Sequence, residues 1–211
     1  TLGMTRLNVY AGPAGFFLVR GGPDGDSAVL DSRTGAPAVL PGPAPRERDR
    51  RPKAYGEIPL AIQDRSFNAD GSLFYPDTRT FFDGFEGPFV PESAVAPVWN
   101  PEFFGNTLMV NGRVWPFHPV DQRRYRLRLL NGCNSRFLIL DFSSIPAVRV
   151  HQIGNDGGLL AATHDVMAAD AGRLLLAPAE RADVIVDFTH VPPGNHVLNN
   201  LGPDEPFGGG E

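Results

Sequence analysis

Glycine and proline interrupt this sequence at short intervals, with 24 Gly and 21 Pro among 211 residues. An interior Gly costs a helix about 1 kcal/mol and an interior Pro about 3 kcal/mol relative to Ala. Accordingly no window keeps apolar residues at i, i+3, i+4 and i+7 for three turns. Between the interruptions lie short apolar or alternating runs that suit strands. The texture predicts an all-β chain, an antiparallel Greek-key sandwich.

Composition narrows the function classes. A formal charge of −5 provides no basic field for nucleic acid or anionic lipid. No apolar stretch approaches the roughly 20 residues of a membrane helix. The single Cys133 excludes an intrachain disulfide and a cage of several thiolates. Compartment is left open by these features.

Along the chain, Gly15 to Arg20 (GFFLVR) reads as an apolar strand with no natural N-terminus visible ahead of it. Exposed, such a strand edge would pack against another chain or drive association. Residues 21–55 turn to Gly, Pro, Asp and Arg, as in "GPAPRERDRRPKAYG", and read as a linker. Order returns near residue 56 with the strand Ile58 to Ile62 and a hairpin about Asp70-Gly71.

From Pro76 to Gly105 runs a long loop carrying Phe81, Phe82, Phe85, Phe89, Trp99, Phe103 and Phe104. Its aromatics either plug one end of a sandwich or wall a substrate mouth. "NTLMVNGRVWPF" then gives two strands about an Asn111-Gly112 turn. In "RYRLRLLN", Tyr125, Leu127 and Leu129 alternate with Arg124, Arg126 and Arg128. "SRFLILDFS", "RLLLA", "RADVIVDF" and "GNHVLNN" supply the remaining strands. Period-two alternation sends Leu127, Leu129, Phe137, Ile139, Val184 and Val186 inward and Arg126, Arg128 and Asp183 to solvent.

Catalytic signatures are sparse. A copper or zinc site needs converging imidazoles, thiolates or carboxylates, commonly as His-x-His in β proteins. His118, His151, His164, His190 and His196 are instead scattered and read as surface or interface residues. Cys133, in "NGCNSR", has no His within a dozen residues to activate it and reads as a small buried residue. Nucleophile elbow, phosphate loop and dinucleotide fingerprint are missing, and carboxylates such as Asp183 and Asp187 single out no hydrolase pair.

"MTRLNVYAGPAGFFLVR", "EIPLAIQDRSFNADGSLFYP", "NTLMVNGRVWPF", "YRLRLLNGCNSRFLIL", "HQIGNDGGLL" and "LAPAERADVIVDF" occur in one order over nearly the whole chain. In order and spacing they resemble the three-domain multicopper oxidases of the spore-coat laccase, bilirubin oxidase and phenoxazinone synthase group. The resemblance implies a cupredoxin-like fold, with residues 1–20 as a remnant of a first cupredoxin domain. Residues 21–55 would then be the linker, and residues 56–211 a middle domain without copper ligands.

The parent enzyme of such a segment couples one-electron oxidation of a small aromatic or metal-ion reductant to four-electron reduction of dioxygen to water. Its type 1 copper and trinuclear copper centre would take their ligands from flanking cupredoxin domains, the partners of this segment. On that view the segment binds no copper itself, holds no catalytic residue and is inactive alone. Nor does the resemblance make Cys133, which stands where relatives often carry Ala, the type 1 ligand. Pro101, Glu102, Phe103 and Ser135 would lie on the substrate side. The rival expectation is a free-standing β-sandwich binding module without catalysis.

Overall fold

A computed structural model describes residues 5–19, 29–31, 33–45, 49, 54–76, 84 and 102–208. Two sheets face each other over one core. The larger is built from β1 (Glu57–Arg65), β2 (Thr107–Val110), β3 (Arg113–Val114), β4 (Arg124–Asn131), β6 (Arg149–Asn155), β7 (Gly158–Asp165) and β9 (Arg181–Asp187). Its seven strands run β3-β2-β1-β4-β9-β6-β7. The smaller orders β10 (Asn199–Asn200), β5 (Leu138–Asp141) and β8 (Arg173–Leu176). Two short helices complete the described elements, α1 (Thr5–Ala11) and α2 (Val166–Ala169).

Every pairing is antiparallel except β1 with β4, which is parallel and sets Glu57 opposite Arg126. The sandwich is therefore mixed at its centre rather than wholly antiparallel. A parallel pair needs a crossover connection, and the chain between β1 and β4 supplies it, adding β2 and β3 at the edge on the way. Among the described residues no helix is long and apolar enough to cross a membrane.

The expected inward set is partly corrected. Leu127, Leu129, Val184 and Val186 fill the core with Val150. On β5, however, Leu138 and Leu140 point inward while Phe137 and Ile139 are half-buried. The cause is the turn before the strand. The Asn131 side chain donates to Arg136 O (2.8 Å) and Leu176 O (2.9 Å) and accepts the Cys133 N–H (2.9 Å). Regular pairing starts only at Leu138, opposite Leu176, so the phase of the strand is one residue off the expected one. Phe137 stacks instead on Phe207, with ring centroids 4.4 Å apart.

The second correction concerns charge. Arg126 and Asp183, expected at the surface, are buried, and Arg128 is half-buried. Arg126 forks onto Asp183, Nε to Oδ1 at 2.8 Å and a terminal nitrogen to Oδ2 at 2.6 Å. Arg128 bridges Asp183 Oδ2 at 3.0 Å and Glu57 Oε1 at 2.9 Å. Strands flank β4 on both sides, so its second face is closed by this ionic cluster.

Local signals elsewhere hold. Asn111 and Gly112 both have positive φ (49° and 76°), as a two-residue hairpin turn requires. The Asn111 side chain also accepts the Ala61 N–H and donates to Pro59 O, both at 2.9 Å. The tight turn about Asp70-Gly71 is present, closed by the Phe67–Leu73 bridge.

Gly15 to Val19 forms no strand, and Phe17 is 94% exposed; Arg20 and part of the expected linker, including residues 21–28, lie outside the described residues. Phe81, Phe82, Phe85, Phe89 and Trp99 also lie outside them. The β6–β7 hairpin carries no strict alternation and was not expected from the sequence. It turns through Gly157 (φ 77°), and its bulge needs Gly154, where a Cβ would stand 2.8 Å from Gly158 O.

Candidate functional site

The inward row of β1 is Ile58, Leu60, Ile62 and then Asp64. A carboxylate in phase with three core residues must be buried, and Asp64 is 0% exposed. Its Oδ2 accepts the Gly105 N–H at 2.8 Å and Arg136 Nε at 3.2 Å. The approach of the 102–106 segment demands glycine, since a Cβ at Gly105 would fall 2.4 Å from the Arg65 nitrogen.

Arg136 also donates to Gly105 O (2.8 Å) and Pro203 O (2.9 Å), pairs with the exposed Asp204 carboxylate, and lies over the Phe104 ring. One guanidinium thus joins β1, the 102–106 segment, the β4–β5 turn and the chain after β10.

The next residue, Arg65, reaches the opposite way. It donates to its neighbour's carbonyl, Asp64 O, at 2.6 Å and to Val9 O of α1 at 3.2 Å, and covers the Tyr10 ring. The buried Tyr10 hydroxyl accepts the Ser66 N–H at 2.9 Å and donates to Phe74 O. Burial raises the phenol's pKa above its ordinary value, so it stays protonated as a donor. Tyr10, Tyr75 and Phe103 form a triangle of rings, each pair 5.1 Å between centroids.

Of the residues expected at a substrate side, the structure brings two together. Ser135 Oγ accepts the Phe103 N–H at 3.1 Å. Phe103 is buried in the aromatic triangle, Glu102 and Ser135 are half-buried, and Pro101 lies outside the described residues. Sequence reading missed Tyr10, Asp64, Arg65 and Arg136. Only Asp64 carried a signal, its phase with the apolar row.

The arrangement can hold chain segments but offers no poised reactive group. Cys133 is buried with Sγ 3.9 Å from Ile62 O. Burial first, and the Asp64 charge second, push its thiol far above the ordinary cysteine value, so it is no thiolate. His164 pairs with Asp170 at 2.5 Å, His196 Nε2 contacts Pro192 O at 2.8 Å, and His118 and His190 are exposed. Among the described residues no three His, Cys, Asp or Glu stand close enough to share a metal. The described residues do not fit a type 1 or trinuclear copper centre.

Comparison with known proteins gives these features a setting. No protein-family model matches the chain. It is 36% identical over 199 residues to a laccase of Bacillus stratosphericus, covering 94% of this chain and 32% of that protein. To a laccase of Bacillus subtilis it is 34% identical over 200 residues, with the same 94% and 32% coverage. Among solved structures, a multi-copper oxidase from Pediococcus acidilactici matches at 31% identity and a TM-score of 0.50, over 72% of this chain and 27% of that one. The chain spans about a third of the length of the curated relatives it matches.

Proposed function

This chain belongs to the multicopper oxidase family, and from that premise we propose that it serves as the middle, non-ligating domain of a laccase-like oxidase. One observation carries the reading: nearly the whole chain aligns with about a third of each laccase. That pattern disfavours a free-standing binding module. We place the domain at residues 56–211, with residues 1–20 belonging to a preceding cupredoxin domain and 21–55 linking them. In support, the described sandwich runs from Glu57 to Asn200, and α1 docks on it from outside.

The parent would use copper to couple one-electron oxidation of a small aromatic or metal-ion reductant to reduction of dioxygen to water. Its copper ligands would come from the flanking cupredoxin domains. This chain's own residues contribute rigidity. A misplacement near 1 Å between reacting centres can cost about a hundredfold in rate, and a sandwich closed on both faces of β4 resists it. Glu102 and Ser135 are the described members of the expected substrate wall that keep partial exposure, and Ser135 also fixes the backbone of the buried Phe103.

The test compares the 211-residue chain with a form extended through both flanking domains, each loaded with copper. The extended form is expected to turn blue and to consume dioxygen with a phenol; the chain alone is expected to do neither. A blue, oxygen-consuming preparation of the chain alone, losing its colour on Cys133→Ser, would refute the assignment.

A further inference from the structure

Two consecutive residues of β1 hold opposite ends of the described chain. Arg65 reaches Val9 O and covers Tyr10, whose hydroxyl is fixed by Ser66 and Phe74. Gln63 adds a 3.4 Å contact to Gly12 O. Asp64 takes Arg136, and Arg136 takes Pro203 O and Asp204. The outgoing segment is seated further by the Phe137–Phe207 stack and by Gly202, where a Cβ would meet Phe137 O at 2.1 Å.

The two holds are not separate. Arg65 donates to the main-chain oxygen of Asp64, and Gly105 lies against the Arg65 backbone while bonding both Asp64 and Arg136. A seven-residue helix such as α1 has no stability of its own in water, so its position is set by this dock.

We infer that the Asp64-Arg65 step is a positioning junction that couples residues 9–12 to residues 201–207 and fixes the entry and exit of the chain relative to each other. Its importance to an oxidase rests on the middle-domain reading. There, the incoming and outgoing segments lead to the domains whose separation governs the reaction, and Tyr10, Arg65 and Arg136 become positioning residues. The coupling itself is a property of this chain.

Native-state hydrogen exchange on the full chain tests it. The reporters are the Gly12 amide, bonded to Val9 O, and the Gly202 amide, bonded to Asn200 Oδ1. Tyr10→Phe removes only a hydroxyl, Arg136→Lys keeps charge but loses the fork, and Asp204→Asn alters an exposed partner that cannot threaten folding. Amides of β4 report that each variant remains folded.

Coupling predicts that Tyr10→Phe and Arg136→Lys each speed exchange at both reporters by about threefold or more, the distant one included, and that Asp204→Asn moves both in the same direction by a smaller factor. If Tyr10→Phe moves Gly12 alone while Arg136→Lys and Asp204→Asn move Gly202 alone, the junction does not exist. Copper loading and colour of the extended protein report the oxidase reading separately, so either idea can fail without the other.

Discussion

Two buried ionic clusters sit about the same sheet and serve different ends. In the first, Glu57, Arg126, Arg128 and Asp183 all belong to neighbouring strands, and Arg126 is 1% exposed. In the second, Asp64 of β1 meets Arg136 of a turn, which meets Asp204 of the tail, itself 89% exposed at its side chain. The strand cluster binds elements that already share a ladder of backbone bonds. The end cluster ties β1 to a tail that pairs with it in no ladder. Burial is alike at the centre of each, but only the second carries connectivity beyond the sheet.

If that contrast holds, Arg126→Ala is the most damaging single change. It removes the bidentate partner of Asp183 and leaves Arg128 as the cation that Asp183 and Glu57 share in a closed layer, and losses of about 3–5 kcal/mol follow when one partner of a buried pair is removed. Urea denaturation should show a cooperative transition at much lower urea. Replacing Arg126 and Asp183 together with Met and Leu should recover most of the loss. A variant Arg126→Ala as stable as the parent would mean that water reaches this face.

Arg136→Lys should cost less, about 2 kcal/mol, because ammonium keeps the charge near Asp64 but cannot span Gly105, Pro203 and Asp204 together. Its distinguishing sign is locality. Limited proteolysis should cut near residues 203–207 while β4 and β9 stay protected. Uniform loss of protection would erase the distinction between the clusters.

The asymmetry explains what the sequence disclosed. Strands of alternating apolar residues, such as β4 and β9, and the Asn111-Gly112 turn depend on neighbours in the chain, and those were legible. The burial of Arg126 depends on β1 lying parallel beside β4, a pairing between distant residues that local periodicity does not encode. The phase of β5 turned on how Asn131 folds the preceding turn.

For the site, Phe103 and Ser135 were singled out and do meet. Arg136 gave no sign of itself, since an Arg after a turn is usually solvated. Asp64 could have been found: it continues the Ile58, Leu60, Ile62 row, and a charge in that phase announces a buried partner.

A third carboxylate, at the end of the smaller sheet's central strand, offers a contrast to both clusters. Asp141 Oδ1 accepts the Ser143 hydroxyl at 2.6 Å and its N–H at 3.0 Å, and the hydroxyl bond first of all lowers the carboxyl pKa. A pKa lower in the folded than in the unfolded chain gives stability present above the unfolded carboxylate value and lost as pH falls through the folded one. Ser143→Ala should therefore cost about 1 kcal/mol at neutral pH. The gap from the parent should close in acid, below the ordinary aspartate range. A gap unchanged by acid would assign the loss to packing.

The smallest effect separates the two halves of the end cluster. Arg136 has a 0%-exposed partner in Asp64 and an 89%-exposed one in Asp204. An exposed ion pair contributes about 0.2–1 kcal/mol and is screened by salt, whereas a buried pair is screened little. Asp204→Asn should therefore lower stability by a few tenths of a kcal/mol at low ionic strength, and the difference should vanish in about 0.5 M salt. Asp64→Asn should cost several times more, with the cost persisting in salt, because it removes the charge that Arg136 faces inside the fold. Were the two substitutions equal in size and equally sensitive to salt, Asp64 would be reached by solvent. The end cluster would then be a surface network, and the tail would be held by the Phe137–Phe207 stack and by the Leu201 N–H bond to Ile139 O instead.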